Sequence, residues 1–147
     1  MSLFGSMNVS ASGMTAQRLR MDTISQNLAN INTTRGENGE PYRRKTVIFE
    51  EITQNNNFKS MLNSYLDDST KAGGVKVSGI HEDSAPYIRT YDPTHPDADV
   101  DGYVSMPNVN SIEEMTNLIS ANRSYEANIT AFNATKAMIS GALNIGR

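Results

Sequence analysis

The sequence predicts a mainly α-helical protein in which long N- and C-terminal helices pack as a coiled-coil-like pair, with a small β-rich module in the middle. Charge is concentrated centrally, because residues 35–110 hold 20 of the 29 charged residues, whereas 1–34 hold three and 111–147 hold six. Apolar residues recur every seven positions in both ends, and short β-prone stretches lie between them. We therefore expect a terminal helical domain formed by 1–34 and 106–147 and a middle module of 35–105.

The N-terminal end predicts a helix with a heptad seam. Six of its eight seam positions are apolar. Gly13 lowers the expected stability of a continuous helix there by roughly 1 kcal/mol. The first seam row is Met7, Met14, Met21 and Leu28, and the row three positions further on is Ser10, Gln17, Ile24 and Ile31.

The C-terminal end predicts a longer helix, from about residue 111 to 143, which would measure roughly 50 Å. A capping box is offered at its start by Asn110 with Glu113 or by Ser111 with Glu114. Seven of its nine seam positions are apolar. One row is Met115, Asn122, Ile129, Lys136 and Leu143, and the other is Leu118, Tyr125, Phe132 and Ile139.

The faces predicted to lie outside these seams carry small uncharged residues, such as Ser25, Asn117 and Asn128. A solvated helix usually carries charged residues on its outer face, so an ordinary helical core explains the seams but not these faces. A helical assembly is therefore favoured over a monomeric bundle. The predicted assembly seam consists of Met7, Met14, Met21, Ile24, Leu28, Ile31, Met115, Leu118, Tyr125, Ile129, Phe132, Ile139 and Leu143.

The middle of the chain predicts short strands and turns. Three stretches are β-prone or alternate between apolar and polar residues, namely 42–51, 75–80 and 87–91. The polar stretches 35–41 and 54–74 are predicted to be flexible. A single helical turn is expected around Leu62, Tyr65 and Leu66, and the basic run Arg43, Arg44 and Lys45 is predicted to form a solvated or subunit-contacting strand face.

Composition excludes several classes of function. The net charge of −3 and the pI of about 5.3 are not those of a nucleic-acid-binding protein, which is usually basic. The absence of cysteine excludes disulfides and thiolate chemistry. The sequence shows no basic segment followed by an apolar run, which is the pattern of a cleaved signal. No stretch approaches the roughly 18 apolar residues of a membrane helix. We expect a cytoplasmic protein or one exported by a route that reads an uncleaved N-terminus.

The best candidate for a metal site is the segment Asp97 to Gly102, which copies the first half of a calcium loop, D-x-D-x-D-G. Its twelfth position is Asn108, where a bidentate glutamate is needed, so an acidic turn is favoured. A calcium-dependent binding module remains one alternative, and another exported coiled-coil assembly protein is a second. His81 and His95 lack a metal-binding spacing. We predict no catalytic, cofactor-binding or metal-binding residues.

Several motifs carry a resemblance to a known family. Residues 11–18 (ASGMTAQR) with 27–30 (NLAN) resemble the shared start of flagellar rod and hook proteins, and the stretch from Glu113 to Met138 resembles their shared end. The middle is similar to proximal-rod proteins of the FlgC type. It carries 42–45 (YRRK), 91–99 (YDPTHPDAD) and 102–110 (GYVSMPNVN).

The resemblance implies a structural subunit of the proximal rod of the bacterial flagellar basal body, not an enzyme, with no cofactor. It implies export through the flagellar type III apparatus without a cleaved signal, and assembly around a channel with the terminal helices packed inward. The rod would span the periplasm and carry torque from the motor to the hook. The implied partners are other copies of the chain, rod proteins of the FlgB, FlgF and FlgG types, and a FliE-type adaptor, without nucleic acid or direct lipid binding.

Overall fold

The computed structural model of the protein describes residues 3–36, 38–52 and 73–145. The predicted fold class is confirmed, because the chain has a long helix at each end and a small strand-containing region between them in the sequence. The helical turn predicted around Leu62, and most of the predicted flexible stretch 54–74, lie outside the described residues. The elements are α1 (Leu3–Ala29), β1 (Lys45–Glu51), β2 (Val75–Glu82), β3 (Ile88–Tyr91), β4 (Tyr103–Met106) and α2 (Ser111–Ile145).

Helix α1 continues through Gly13 without a break. A Cβ atom added to Gly13 would lie 3.0 Å from the side-chain oxygen of Asn128, so glycine permits a close approach of the two helices there. Asn128 therefore faces α1, and its predicted place on an outer face is wrong. The helix ends at Ala29, and the predicted seam residue Ile31 lies in the turn that follows it.

Helix α2 begins where the sequence predicts, because Asn110 caps it. The side-chain oxygen of Asn110 accepts a hydrogen bond from the backbone N–H of Ile112 at 3.0 Å. The carboxylate of Glu113 does not complete a capping box and accepts a bond from Arg44 instead. Within the residues that the structure describes, no helix is long and apolar enough to cross a lipid bilayer.

The strands form two separate two-stranded sheets, β1 with β2 and β3 with β4. The second is antiparallel and aligns Ile88 with Met106 and Tyr91 with Tyr103. The first also runs antiparallel, because the N–H of Ile52 bonds to the C=O of Gly74 at one end, and the N–H of Asp83 bonds to the C=O of Arg44 at the other. The three β-prone stretches are thus confirmed as strands, whereas β4 was not predicted.

The described residues fall into two compact units. The first draws them from 1–19, 49–78 and 121–147, and the second from 20–48 and 79–120. The predicted division between a terminal helical domain and a middle module stays a prediction.

The buried faces of the helices are largely small or polar. In the first unit Ser10, Ala16, Ala121 and Thr135 are buried, and in the second Thr23, Ile24, Asn27 and Glu114 are buried. On α2 three of these residues share one heptad row, Glu114, Ala121 and Thr135, and the half-buried Asn128 completes it. This row lies beside the predicted apolar seams rather than on them, and it was not predicted.

Gly102 supports a turn that only glycine adopts easily. Its φ is +78°, and an added Cβ would lie 2.9 Å from the ring of Tyr91. We expect Gly102→Ala to lower the free energy of unfolding by about 1–3 kcal/mol, because the left-handed backbone and the ring contact both oppose a side chain. Urea unfolding of the purified chain measures this change.

The matched control is Gly79→Ala. Gly79 has no positive φ, and no atom lies within 4 Å of its added Cβ. We expect this change to leave the free energy of unfolding within about 0.5 kcal/mol of that of the unchanged chain. Equal losses from the two variants would contradict the strain assigned to Gly102.

Candidate functional site

The predicted assembly seam is partly accessible in the single chain. Ile24 is buried, and Met115 and Leu143 are 55% and 70% exposed. The other ten residues are half-buried, namely Met7, Met14, Met21, Leu28, Ile31, Leu118, Tyr125, Ile129, Phe132 and Ile139. That these residues form an assembly seam stays a prediction.

A more exposed apolar face lies at the start of α2. Ile112, Met115 and Ile119 are 75%, 55% and 56% exposed, and their spacing places them on one side of the helix. We call these three residues the outer apolar stripe. Sequence reasoning missed Ile112 and Ile119, because their heptad row continues with Glu126, Asn133 and Ser140 and so has no apolar pattern.

Beneath this stripe, on the opposite side of the helix, the second unit buries a polar cluster centred on Asn27. The amide nitrogen of Asn27 donates to the C=O of Lys45 at 2.8 Å and to the carboxylate of Glu114 at 2.9 Å. Its oxygen accepts from the N–H of Lys45 at 2.9 Å and from the hydroxyl of Tyr42 at 2.8 Å. All four hydrogen-bonding positions of this fully buried amide are therefore filled.

Glu114 is the charged centre of the cluster and only 1% exposed. Its carboxylate accepts a bond from Nε of Arg44 at 2.8 Å, and Nη2 of Arg44 lies 2.7 Å from the same oxygen. Nη2 also bonds to the more exposed Glu113 at 3.1 Å. A carboxylate buried this deeply is tolerated because it is both paired and hydrogen-bonded. We call Asn27, Arg44 and Glu114 the polar node.

The backbone of Arg44 is held as firmly as its side chain. Its N–H bonds to the side-chain oxygen of Asn108 at 2.9 Å, and its C=O accepts from the N–H of Asp83 at 2.8 Å. The prediction of a solvated or subunit-contacting strand face is therefore wrong for Arg44. Its partner Glu114 lies 70 residues further on, so no local pattern could reveal the contact.

Electrostatics favour the charged form of Arg44. Burial alone lowers the pKa of its guanidinium, but the hydrogen bond to Glu114 and the negative charges of Glu114, Glu113 and Asp83 outweigh burial and hold the pKa above its ordinary value. The guanidinium is therefore charged in its ion pair with Glu114.

Tyr42 gives the cluster a measurable response to pH. Burial raises the pKa of its phenol, and the charges of Glu82 and Glu114 raise it further. The folded protein thus prefers the neutral phenol, and this contribution to stability is present below the unfolded pKa of about 10 and lost as pH rises through the higher folded value. We expect the phenol of Tyr42 to contribute a late step to an absorbance titration of the folded chain.

Two substitutions check the assignment of this late titration. Tyr42→Phe should remove the late step, whereas Tyr91→Phe, at a 65% exposed position, should leave it in place. A late step that survives Tyr42→Phe would show that another tyrosine is responsible.

Two of the three aspartates of the D-x-D-x-D-G segment are engaged by other residues of the second unit. Asp97 accepts a bond from the hydroxyl of Thr34 at 2.8 Å and pairs with Arg35, and Asp99 pairs with Arg89. His95 is half-buried and accepts a bond from the N–H of Asp97. Among the described residues, no group of three or more histidine, aspartate or glutamate side chains is placed to hold a metal ion.

Comparison with known proteins connects this arrangement to one family. Residues 7–35 match the family model described as flagella basal body rod protein, and residues 100–145 match that of the flagellar basal body rod FlgEFG protein C-terminal. Asn27 lies in the first matched segment and Glu114 in the second, so their hydrogen bond joins the two segments, whereas Arg44 lies outside both.

Relatives named flagellar basal-body rod protein FlgC match over the whole chain. The Bacillus subtilis protein is 54% identical over 100% of both chains, and the Borreliella burgdorferi protein is 47% identical over 99% of this chain and 98% of its own. The Salmonella typhimurium protein is 37% identical over 100% of both. The resemblance drawn from the motifs is confirmed, and the chain belongs to the FlgC family of flagellar basal-body rod proteins, as a structural subunit of that rod.

Proposed function

We propose that the protein serves the rod mechanically, with its terminal helices packed on helices of neighbouring subunits so that the assembly resists torsion and carries torque from the motor to the hook. The observation that carries this proposal is the outer apolar stripe. Contiguous exposed apolar side chains on a soluble chain usually mark an interaction surface. The predicted assembly seam extends the same role to the half-buried residues beside the stripe.

The partners that we propose are other copies of the chain, rod proteins of the FlgB, FlgF and FlgG types, and a FliE-type adaptor. Assembly with other rod components follows from the family, and the chemistry of the stripe favours an apolar helical surface as its partner. Within the stripe Thr116 is uncharged, and the first charged residue after Ile119 on the same side of the helix is Arg123. The stripe itself therefore offers a partner apolar rather than ionic contacts.

A non-catalytic role is the second part of the proposal. An open cleft of about 470 Å³ in the second unit is lined by Arg35, Arg89, Asp97 and Asp99, among others. Its ionisable side chains pair with one another, Arg35 with Asp97 and Arg89 with Asp99. The buried carboxylate of Glu114 is likewise bound to Asn27 and Arg44, so these groups support structure rather than acid–base chemistry.

The third part of the proposal concerns delivery. We propose that the chain is exported through the flagellar type III apparatus without a cleaved signal, and that the rod which contains it spans the periplasm. Membership of the flagellar rod family supports this route. Intact mass spectrometry of the protein from purified basal bodies tests it, because a shortened N-terminus would contradict uncleaved export.

Photo-crosslinking in assembled basal bodies tests the proposed contact. We would place p-benzoylphenylalanine at Ile119 and, as a control, at the exposed loop residue Ser84. We expect ultraviolet light to join the Ile119 variant to a second rod component, identified by mass spectrometry, with a higher yield than the Ser84 variant. Complete basal bodies that give no crosslink at Ile119 would contradict the role of the stripe.

A further inference from the structure

Two contacts between α1 and α2 are spaced by whole heptads. In the second unit Asn27 bonds to Glu114. Arg20, one heptad earlier on α1, bonds at 3.4 Å to Asn117, which lies only three positions after Glu114 and so outside this spacing. In the first unit Gly13 contacts Asn128, and these residues lie 14 positions before Asn27 and 14 positions after Glu114. The same antiparallel pairing rule therefore holds at both places along the helices.

A repeat of this kind leaves another register available. If α2 moved by one heptad, or about 10 Å along the helix axis, Glu114 would meet Arg20 instead of Asn27. Arg20 offers a guanidinium to the carboxylate, so the shifted register would gain an ion pair of its own. The row that holds Ala121 and Asn128 consists largely of small side chains. Such side chains make few knobs-into-holes contacts that are specific to one register, so packing alone favours the observed register only weakly.

We infer that the polar node is a register lock, in which Asn27, Arg44 and Glu114 fix the axial position of α2 against α1. Asn27 uses all four of its hydrogen-bonding positions only in the observed register, where Glu114 fills one of them. Arg44 is held through its backbone by Asn108 and Asp83, so its guanidinium cannot follow Glu114 along the axis. A shift would leave a buried amide donor unpaired and Arg44 without Glu114.

The lock specifies position more than it adds stability. A buried ion pair contributes little more to stability than well-packed apolar residues of the same volume would. The best-attested role of buried polar and ionic groups is to fix the register of packed elements. For a rod subunit the register matters, because a shift would carry the outer apolar stripe about 10 Å along α1. This consequence rests on the proposed function, whereas the register lock itself does not.

Distance measurement in the full-length chain tests the lock. The chain contains no cysteine, so Asp22→Cys and Thr116→Cys place two spin labels specifically, at exposed positions of α1 and α2 within the second unit. Pulsed electron paramagnetic resonance should give one separation in this background. Adding Asn27→Leu and Arg44→Met removes the partners of Glu114 and should produce a second population, displaced by up to about 10 Å.

Two further variants make the result decisive. Adding Arg20→Met should abolish the second population, because Glu114 then has no alternative cation. Should the Asn27→Leu/Arg44→Met chain fail to fold, as judged by circular dichroism, the single variant Arg44→Met keeps the hydrogen bonds of Asn27, and its Glu114 should still populate the register that meets Arg20. A single unchanged separation in the folded variants that retain Arg20, or no defined separation in the background chain, would overturn the inference.

Swimming assays separate this inference from the proposed function. Variants that shift register and stop swimming support both ideas. Normal swimming with a shifted register would count against assembly through the stripe and leave the lock intact. Lost swimming with an unshifted register would remove the lock and leave the mechanical role in place.

Discussion

Glu114→Ala is expected to lower the free energy of unfolding of the full-length chain by about 3 kcal/mol, at the lower end of the range for breaking a buried ion pair. The substitution leaves the amide nitrogen of Asn27 one acceptor short in a fully buried position. It also removes two close contacts of the Arg44 guanidinium, whose side chain is 20% exposed. The loss is moderated because Glu113 still binds Arg44. Urea unfolding followed by circular dichroism measures the change.

The neighbouring carboxylate provides the control. The side chain of Glu113 is 59% exposed and bonds to the same guanidinium, so Glu113→Ala should cost less than about 1 kcal/mol. A double-mutant cycle with Arg44→Ala and Glu114→Ala should give a coupling free energy of about 1–3 kcal/mol. If Glu113→Ala and Glu114→Ala cost the same, or the cycle shows no coupling, the energetic importance of the polar node is refuted.

The second large effect is expected in the cell rather than in the purified chain. Ile119→Asp should abolish swimming in a strain whose only copy carries the change, because a carboxylate in an apolar contact between subunits cannot be solvated. The free chain should lose less than about 1 kcal/mol of stability, since the position is 56% exposed. The measurements are the swim diameter and the amount of secreted protein. Lost swimming with retained secretion places the defect in assembly.

Ser84→Asp is the matched control, because it adds the same charge at an exposed loop position of the same unit. We expect this strain to swim normally. Normal swimming of the Ile119→Asp strain would show that the outer apolar stripe is not an assembly contact. Loss of secretion in that strain would instead place the defect before assembly.

Local signals were sufficient to predict the helices. Asn110 caps α2 through its own side chain, and the heptad rows that follow run without a proline or a helix-ending glycine motif, so the bounds of α2 agree closely with prediction. The end of α1 was less well predicted. Ile31 continued the apolar spacing, although the chain had already turned after Ala29.

The buried face could not be predicted in the same way. Apolar periodicity finds rows of large apolar residues, whereas the face of α2 that is turned toward α1 carries Glu114, Ala121, Asn128 and Thr135. Such a row is buried because its members are small or find polar partners on distant segments. The partner of Glu114, Arg44, stands in a basic run that by itself looks like an ordinary surface strand.

The side chain of Asn27 has a further consequence for the edge of the first sheet. The C=O of Arg44 points toward β2, so the N–H and C=O of the next residue, Lys45, point to the opposite, unpaired edge. Asn27 occupies both of these groups, as a neighbouring strand would. An open strand edge invites pairing with the same edge of another chain. One amide side chain thus closes the start of β1 to strand pairing between copies.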